Sequence, residues 1–174
     1  MKKLRDLDFK IISELIKNSR ISDRKLATIL GISQPTVSRK RQRLEKEELL
    51  NFTAIPNFSK LGFEIMAFSF YSWTPEANEE LIRNQGEILQ KLSEFLSKNK
   101  NIIFTSNGRG FGMERMMISV HKSYSDYVKL MHEVGIVWGK YLSKGDSFII
   151  SLREDVVGRQ LTFEHFAEYI DQNR

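Results

Sequence analysis

Residues 23–45 read DRKLATILGISQPTVSRKRQRLE, and their spacing decides the first half of the fold. Ser22 stands just before the run as an N-cap whose hydroxyl can take an orphan backbone N–H, and Leu26, Ala27 and Ile29 or Leu30 recur at helical spacing behind it. Gly31 suits the left-handed residue that closes a helix, and Ala27 leaves room for a second helix to cross closely. Ser33 then caps a new helix with Pro35 in its first turn, where the missing N–H costs nothing. Val37 and Leu44 point inward, a heptad apart. The outward positions carry Gln34, Thr36, Ser38, Arg39, Lys40, Gln42, Arg43 and Lys46, a surface of donors and positive charge suited to a polyanion with readable edges. Two short helices with a tight turn and a basic second helix predict a helix-turn-helix.

The rest of the chain sharpens that reading. Of its 174 residues, 41% are hydrophobic and 28% charged, the balance of an ordinary soluble globular protein of one or two domains. No apolar run reaches membrane-spanning length and MKKLRDLDFK has no apolar signal core, so a cytoplasmic location away from membranes is expected. The absence of cysteine excludes disulfides, thiolate catalysis and cysteine-ligated metals. Charge is unevenly placed: residues 1–50 hold 13 Lys and Arg against 7 Asp and Glu, a net +6, whereas the remainder holds 14 against 15, a net −1. A basic excess confined to the helix-turn-helix region is the footprint of nucleic-acid binding, because each neutralised phosphate releases condensed counterions.

In chain order, Leu4 to Asn18 predicts an amphipathic helix packing behind the helix-turn-helix. Residues 51–55 read as a short wing or linker strand, and Pro56, Asn57 and Ser59 supply turn chemistry, which gives domains of 1–50 and 63–174 joined by 51–62. Glu64 to Trp73 alternates as a strand. A helix is expected from Pro75 to Lys98, its stripe including Leu81, Ile82, Ile88, Leu92 and Phe95, with a bend at Gly86. NIIFTSN and MERMMISVH form a hairpin across GRGFG, Ser123 and Asp126 open another helix, SFIISL is a last strand, and Leu161 to Ile170 a terminal helix. Strand, helix, strand, strand, helix, strand is the split βαβ plan, so the fold class is α+β: a winged helix-turn-helix followed by a ferredoxin-like βαββαβ domain. The helix-free sheet face is expected to carry Ile65, Ser69, Tyr71, Trp73, Thr105, Met117, Ser119, Ile149 and Ser151, and to serve self-association.

The stretch LDFKIISELIKNSRISDRKLATILGISQPTVSRKRQRLEKEELL resembles, almost position by position, the N-terminal domain of the leucine-responsive/asparagine regulator (Lrp/AsnC) family. NFTAIPNFSKLGF is similar to that family's connecting strand, and SNGRGFGMERMMISV to its strand, glycine loop and strand at the effector-binding region. Arg41 departs from the family's usual Val or Ile, the helix from Pro75 is longer, and the tail after Arg153 is atypical. The resemblance implies a transcriptional regulator binding near-palindromic duplex DNA as a dimer or larger assembly, responding to an amino-acid-like effector. Ser33, Gln34, Thr36, Ser38 and Arg39 are placed to reach base edges, and Lys40, Arg43 and Lys46 to hold phosphates. Gly108, Arg109, Gly110 and Gly112 are the effector candidates, with a plain hairpin turn as the alternative.

No enzyme chemistry, metal site or cofactor is expected. His121, His132 and His165 are not spaced as a metal cluster, each being expected at the surface or partly buried, and Glu114 lacks a carboxylate partner for acid–base work. Two other readings remain open: an architectural chromatin protein that binds DNA with little sequence preference, and an enzyme of the siroheme-decarboxylase kind on the same plan, which would need no basic recognition helix.

Overall fold

The computed structural model describes residues 4–153, 155–159 and 161–172. Its elements are α1 (Asp6–Lys17), α2 (Asp23–Leu30), α3 (Gln34–Lys46), β1 (Ile65–Trp73), α4 (Pro75–Arg83), α5 (Gln85–Lys98), β2 (Ile102–Gly110), β3 (Met113–His121), α6 (Tyr124–Trp138), a 3-10 turn at Gly139–Tyr141, β4 (Leu142–Ser151) and α7 (Glu164–Gln172). They fall into two compact units. The first is Met1–Pro56 together with Arg159–Arg174, the second Asn57–Gly158.

In the first unit, α1 to α3 close around Ile11, Leu15, Leu26, Val37 and Leu44, all essentially buried. Each such side chain contributes about 1.5–3 kcal/mol on leaving water. Ser22 caps α2 by accepting from the Lys25 N–H at 3.2 Å, and Gly31 ends it at φ +64°. Ser33 departs from expectation, its hydroxyl pairing with the Thr36 hydroxyl at 2.8 Å and leaving the backbone uncapped. Residues 51–55 have no strand pairing among the described residues, so the expected wing strand is an extended segment. The terminal helix, assigned from sequence to the second domain, instead packs here: Ala167 is fully buried, Ile170 joins the core, and Ser13 Oγ of α1 donates to the Ala167 carbonyl at 3.0 Å.

The second unit is a four-stranded antiparallel sheet in the order β2-β3-β1-β4. The expected single helix from Pro75 to Lys98 is two, because Asn84 leaves the helical region at φ −125°, ψ +41° and so ends α4 and caps α5. The side chains of Leu81 and Ile82 lie outside the described residues. β2 and β3 turn at Phe111 (φ +55°) and Gly112 (φ +70°), a two-residue connection with both residues left-handed, as tight hairpins require.

The two sheet faces are the reverse of the sequence expectation. Ser69, Tyr71, Met117 and Ser119 face the helices and are buried, with Ser69 Oγ directed at Met131 of α6. The open face carries Phe68 in register with Ile118 and Phe148, and Phe70 in register with Met116. Small residues permit the close approach of a helix, whereas the phenylalanines, which by bulk alone read as core, line the uncovered side. His121 is also buried more fully than expected, with Nε2 2.8 Å from the Ser119 hydroxyl and its ring edge-on to Tyr127. That burial lowers its pKa from the ordinary 6.5, against a smaller upward push from Asp126.

Candidate nucleic-acid interface

Helix α3 is held by its two inward residues, Val37 and Leu44, and this determines which of its polar side chains remain free. Ser33, Gln34, Arg39, Gln42 and Lys46 are exposed, with Thr36 and Ser38 half-buried beside them. Arg39 Nε donates back to the Pro35 carbonyl at 3.3 Å, which steadies the side chain along its own helix while the rest of the guanidinium stays in solvent. Five of the eight residues assigned to DNA from sequence therefore lie together at the N-terminal end of α3 as a strip of hydrogen-bonding groups. Lys46 lies apart from them at its C-terminal end.

Lys40 and Arg43 are placed differently from expectation. Lys40 Nζ lies 2.7 Å from Asp8 Oδ1, and Arg43 Nη2 lies 2.9 Å from Asp8 Oδ2, an ion contact out of line for a hydrogen bond. The Asp8 side chain is fully buried and also accepts the Arg5 backbone N–H at 2.9 Å. Burial alone would raise its pKa, but the Lys40 hydrogen bond, the Arg5 amide and Arg43 outweigh this and hold the carboxyl below its usual 3.8. Both cations thus clamp α3 to α1. Asp8 is the residue that sequence reasoning missed. Its spacing of three and seven from Ile11 and Leu15 put it on the buried stripe of α1, where a carboxylate requires a partner.

Arg41 is likewise turned inward. Its Nη1 donates to the Ile21 carbonyl at 3.2 Å and to Asp23 at 3.3 Å, its Nε pairs with Glu45 at 3.2 Å, and its guanidinium lies 4.9 Å from the Phe52 ring centroid. A planar fork of five donors can join the start of α2, the end of α3 and the chain beyond, which a Val or Ile could not do.

The effector candidates are spread along an exposed edge. Gly108, Arg109 and Gly110 are strand residues at the end of β2 and Gly112 is in the turn, all four open to solvent. Their geometry is that of a hairpin. Among the described residues no group of histidines and carboxylates could hold a metal ion, and no helix is long and apolar enough to cross a membrane.

Comparison with known proteins agrees with this geometry. The model of winged helix-turn-helix DNA-binding domains matches residues 4–51. An uncharacterized HTH-type transcriptional regulator of Pyrococcus furiosus is 30% identical over 98 residues, 56% of this chain and 59% of that protein. The leucine-responsive regulatory protein of Rhizobium meliloti is 36% identical over 63 residues, 36% of this chain and 40% of that one. The aligned parts thus span less than two thirds of these relatives. The crystal structure of an AsnC family transcriptional regulator from Agrobacterium tumefaciens superposes with a TM-score of 0.68 at 16% identity, covering 93% of this chain and 99% of that one, a likeness of fold. The chain thus carries a winged helix-turn-helix similar to those of HTH-type transcriptional regulators, a leucine-responsive regulatory protein among them, and its fold as a whole is that of a solved AsnC family regulator.

Proposed function

We propose that the chain is a sequence-specific regulator of transcription that binds near-palindromic duplex DNA as a dimer or larger assembly in the cytoplasm. The observation that carries this reading is the division of labour on α3. Three of its basic residues are locked into the domain, while exposed Ser33, Gln34 and Arg39, with half-buried Thr36 and Ser38 beside them, form a hydrogen-bonding strip at its N-terminal end. That is the end of a recognition helix that meets base edges in the major groove. Arg39 or Gln34 can pair a base bidentately, worth about 1–3 kcal/mol of discrimination. Lys46 supplies a phosphate contact, and Lys40 and Arg43 position the helix. Dimerisation uses the open sheet face, where Phe104, Phe111 and Phe148 stay half or more exposed. An amino-acid-like effector at Gly108 to Gly112 belongs to the same proposal, on the strength of the family resemblance.

The test is selection from a randomised duplex pool at two salt concentrations, with the unsubstituted chain beside Arg39→Ala. Enrichment of a near-palindrome whose specificity relaxes in Arg39→Ala supports the proposal. Salt-sensitive binding with no preferred sequence replaces it with an architectural protein, and no binding at all refutes both.

A further inference from the structure

Between the sheet and helices α5 and α6 the second unit holds a small cavity, walled by Tyr71, Trp73, Phe95 and Trp138, with Thr105 and Arg115 as its polar edge. Counting its open mouth, the void is about 420 Å³, of which about 40 Å³ is free to the centre of a water molecule. The walls are arranged for a ring: Trp138 meets Trp73 and Phe95 edge to face at centroid distances of 6.4 and 6.2 Å, and aromatic contacts favour offset or T-shaped partners.

Arg115 is the unusual member. Half-buried and stacked with its guanidinium carbon 5.4 Å from the Trp73 ring centroid, it pairs with no carboxylate among the described residues. Nε and Nη2 both donate to Asn107 Oδ1, at 3.2 and 2.9 Å, which fixes the plane of the group and leaves Nη1 without a partner among the described residues. A second cation, Lys91, lies 5.2 Å from the Trp138 ring centroid. No Asp or Glu among the described residues lines the cavity. Burial pushes the Tyr71 phenol up to about 12, so that group is neutral at physiological pH. The cavity therefore offers positive charge at its edge, apolar rings within, and nothing to pair an ammonium.

We propose that this cavity binds a one-ring aromatic monocarboxylate, its carboxylate on Arg115 Nη1 and its ring between Trp73, Phe95 and Trp138. The class excludes the corresponding amino acids, whose ammonium would be desolvated beside Arg115 with no acceptor of opposite charge. A neutral aromatic alcohol would forgo the charge-assisted pairing with the guanidinium. This site is separate from the exposed glycines of the hairpin, and the inference does not rest on DNA binding.

The chain's two tryptophans, Trp73 and Trp138, both line the cavity, so its intrinsic fluorescence reports occupancy. The full chain, without DNA, is titrated with phenylacetate, L-phenylalanine and 2-phenylethanol. The expected result is a saturable change with phenylacetate and at least about tenfold weaker binding of the other two, with Arg115→Gln losing at least about tenfold for phenylacetate and Lys122→Gln, at an exposed cation that is not a cavity wall, keeping it. Absence of a saturable change, equal binding of L-phenylalanine, or undiminished phenylacetate binding by folded Arg115→Gln overturns the proposal. The comparison of phenylacetate with 2-phenylethanol needs no variant, so equal binding of those two refutes it even where Arg115→Gln does not fold.

Discussion

Asp8 Oδ1 on α1 receives the Lys40 ammonium of α3 at 2.7 Å, thirty-two residues away in sequence, with the carboxylate wholly removed from solvent. Replacing it by Asn strands two cations against the core. Full loss of a buried partner costs about 3–5 kcal/mol, but Lys40 and Arg43 keep 20% and 28% side-chain exposure and can swing partly into water. A loss of about 2 kcal/mol is therefore expected for Asp8→Asn, read by urea unfolding. The folded carboxyl titrates below 3.8, so the fold favours its ionised form. The stabilisation is full above that pH and is lost as pH falls through the folded value. The margin of the unsubstituted chain over Asp8→Asn should accordingly shrink only below about pH 3.8.

Lys46 and Lys40 make a contrasting pair. Lys46→Ala should weaken binding about equally on every DNA sequence and lower the log–log salt slope by about 1, leaving the unfolding midpoint unchanged. Lys40→Ala should instead lower stability. A salt titration of DNA affinity beside a urea melt of each variant separates the two, and equal salt slopes for Lys46→Ala and the unsubstituted chain would remove Lys46 from the interface.

Phe148 is 67% exposed on β4, an edge strand of the helix-free face, in register with Phe68. Phe148→Asp places a charge where an apolar partner face would have to desolvate it. Light scattering at micromolar concentration should show the substituted chain as a monomer and Phe148→Leu at the mass of the unsubstituted chain. An unchanged mass for Phe148→Asp places self-association elsewhere.

Gly145 of β4 lies opposite Tyr71, and a Cβ added there would stand 3.1 and 3.3 Å from Tyr71 Cδ1 and Cε1. The Tyr71 ring is packed among Ala77, Met117 and Trp138 and has little room to retreat. Gly145→Ala should therefore cost about 1–3 kcal/mol through overpacking. Phenylacetate binding should weaken with it, since the displaced ring is a cavity wall. A melting temperature equal to the unsubstituted chain's would show that the sheet edge yields instead.

What could be read in advance was local. Ser22, Gly31 and Pro35 each act within one turn of chain, and the structure uses Ser22 and Gly31 as caps and Pro35 in a first turn. The succession of strands along the chain was likewise legible, because turn and capping residues separate them. Period-two alternation in β1 could not say which side met the helices, since both sides carry apolar residues and the deciding feature was the smallness of Ser69 and Ser119. The fate of Lys40 and Arg43 depended on Asp8, a partner with no local relation to them. The cavity was illegible for the same reason, its walls coming from β1, β2, β3, β4, α5 and α6.

The docking of α7 on α1 sets a timetable for synthesis. Residues 57–158 separate the helix-turn-helix from the helix that covers Ser13 and shares its core. At translation rates of about 5–20 residues per second, α1, which ends at Lys17, waits roughly 8–30 s for the completion of α7 at Gln172, while the whole sheet unit is made and can fold. A ribosome-bound chain stopped before residue 164 would carry a recognition helix on an unfinished support. Binding of operator by such stalled chains, compared with released ones, would measure what the late-arriving helix contributes.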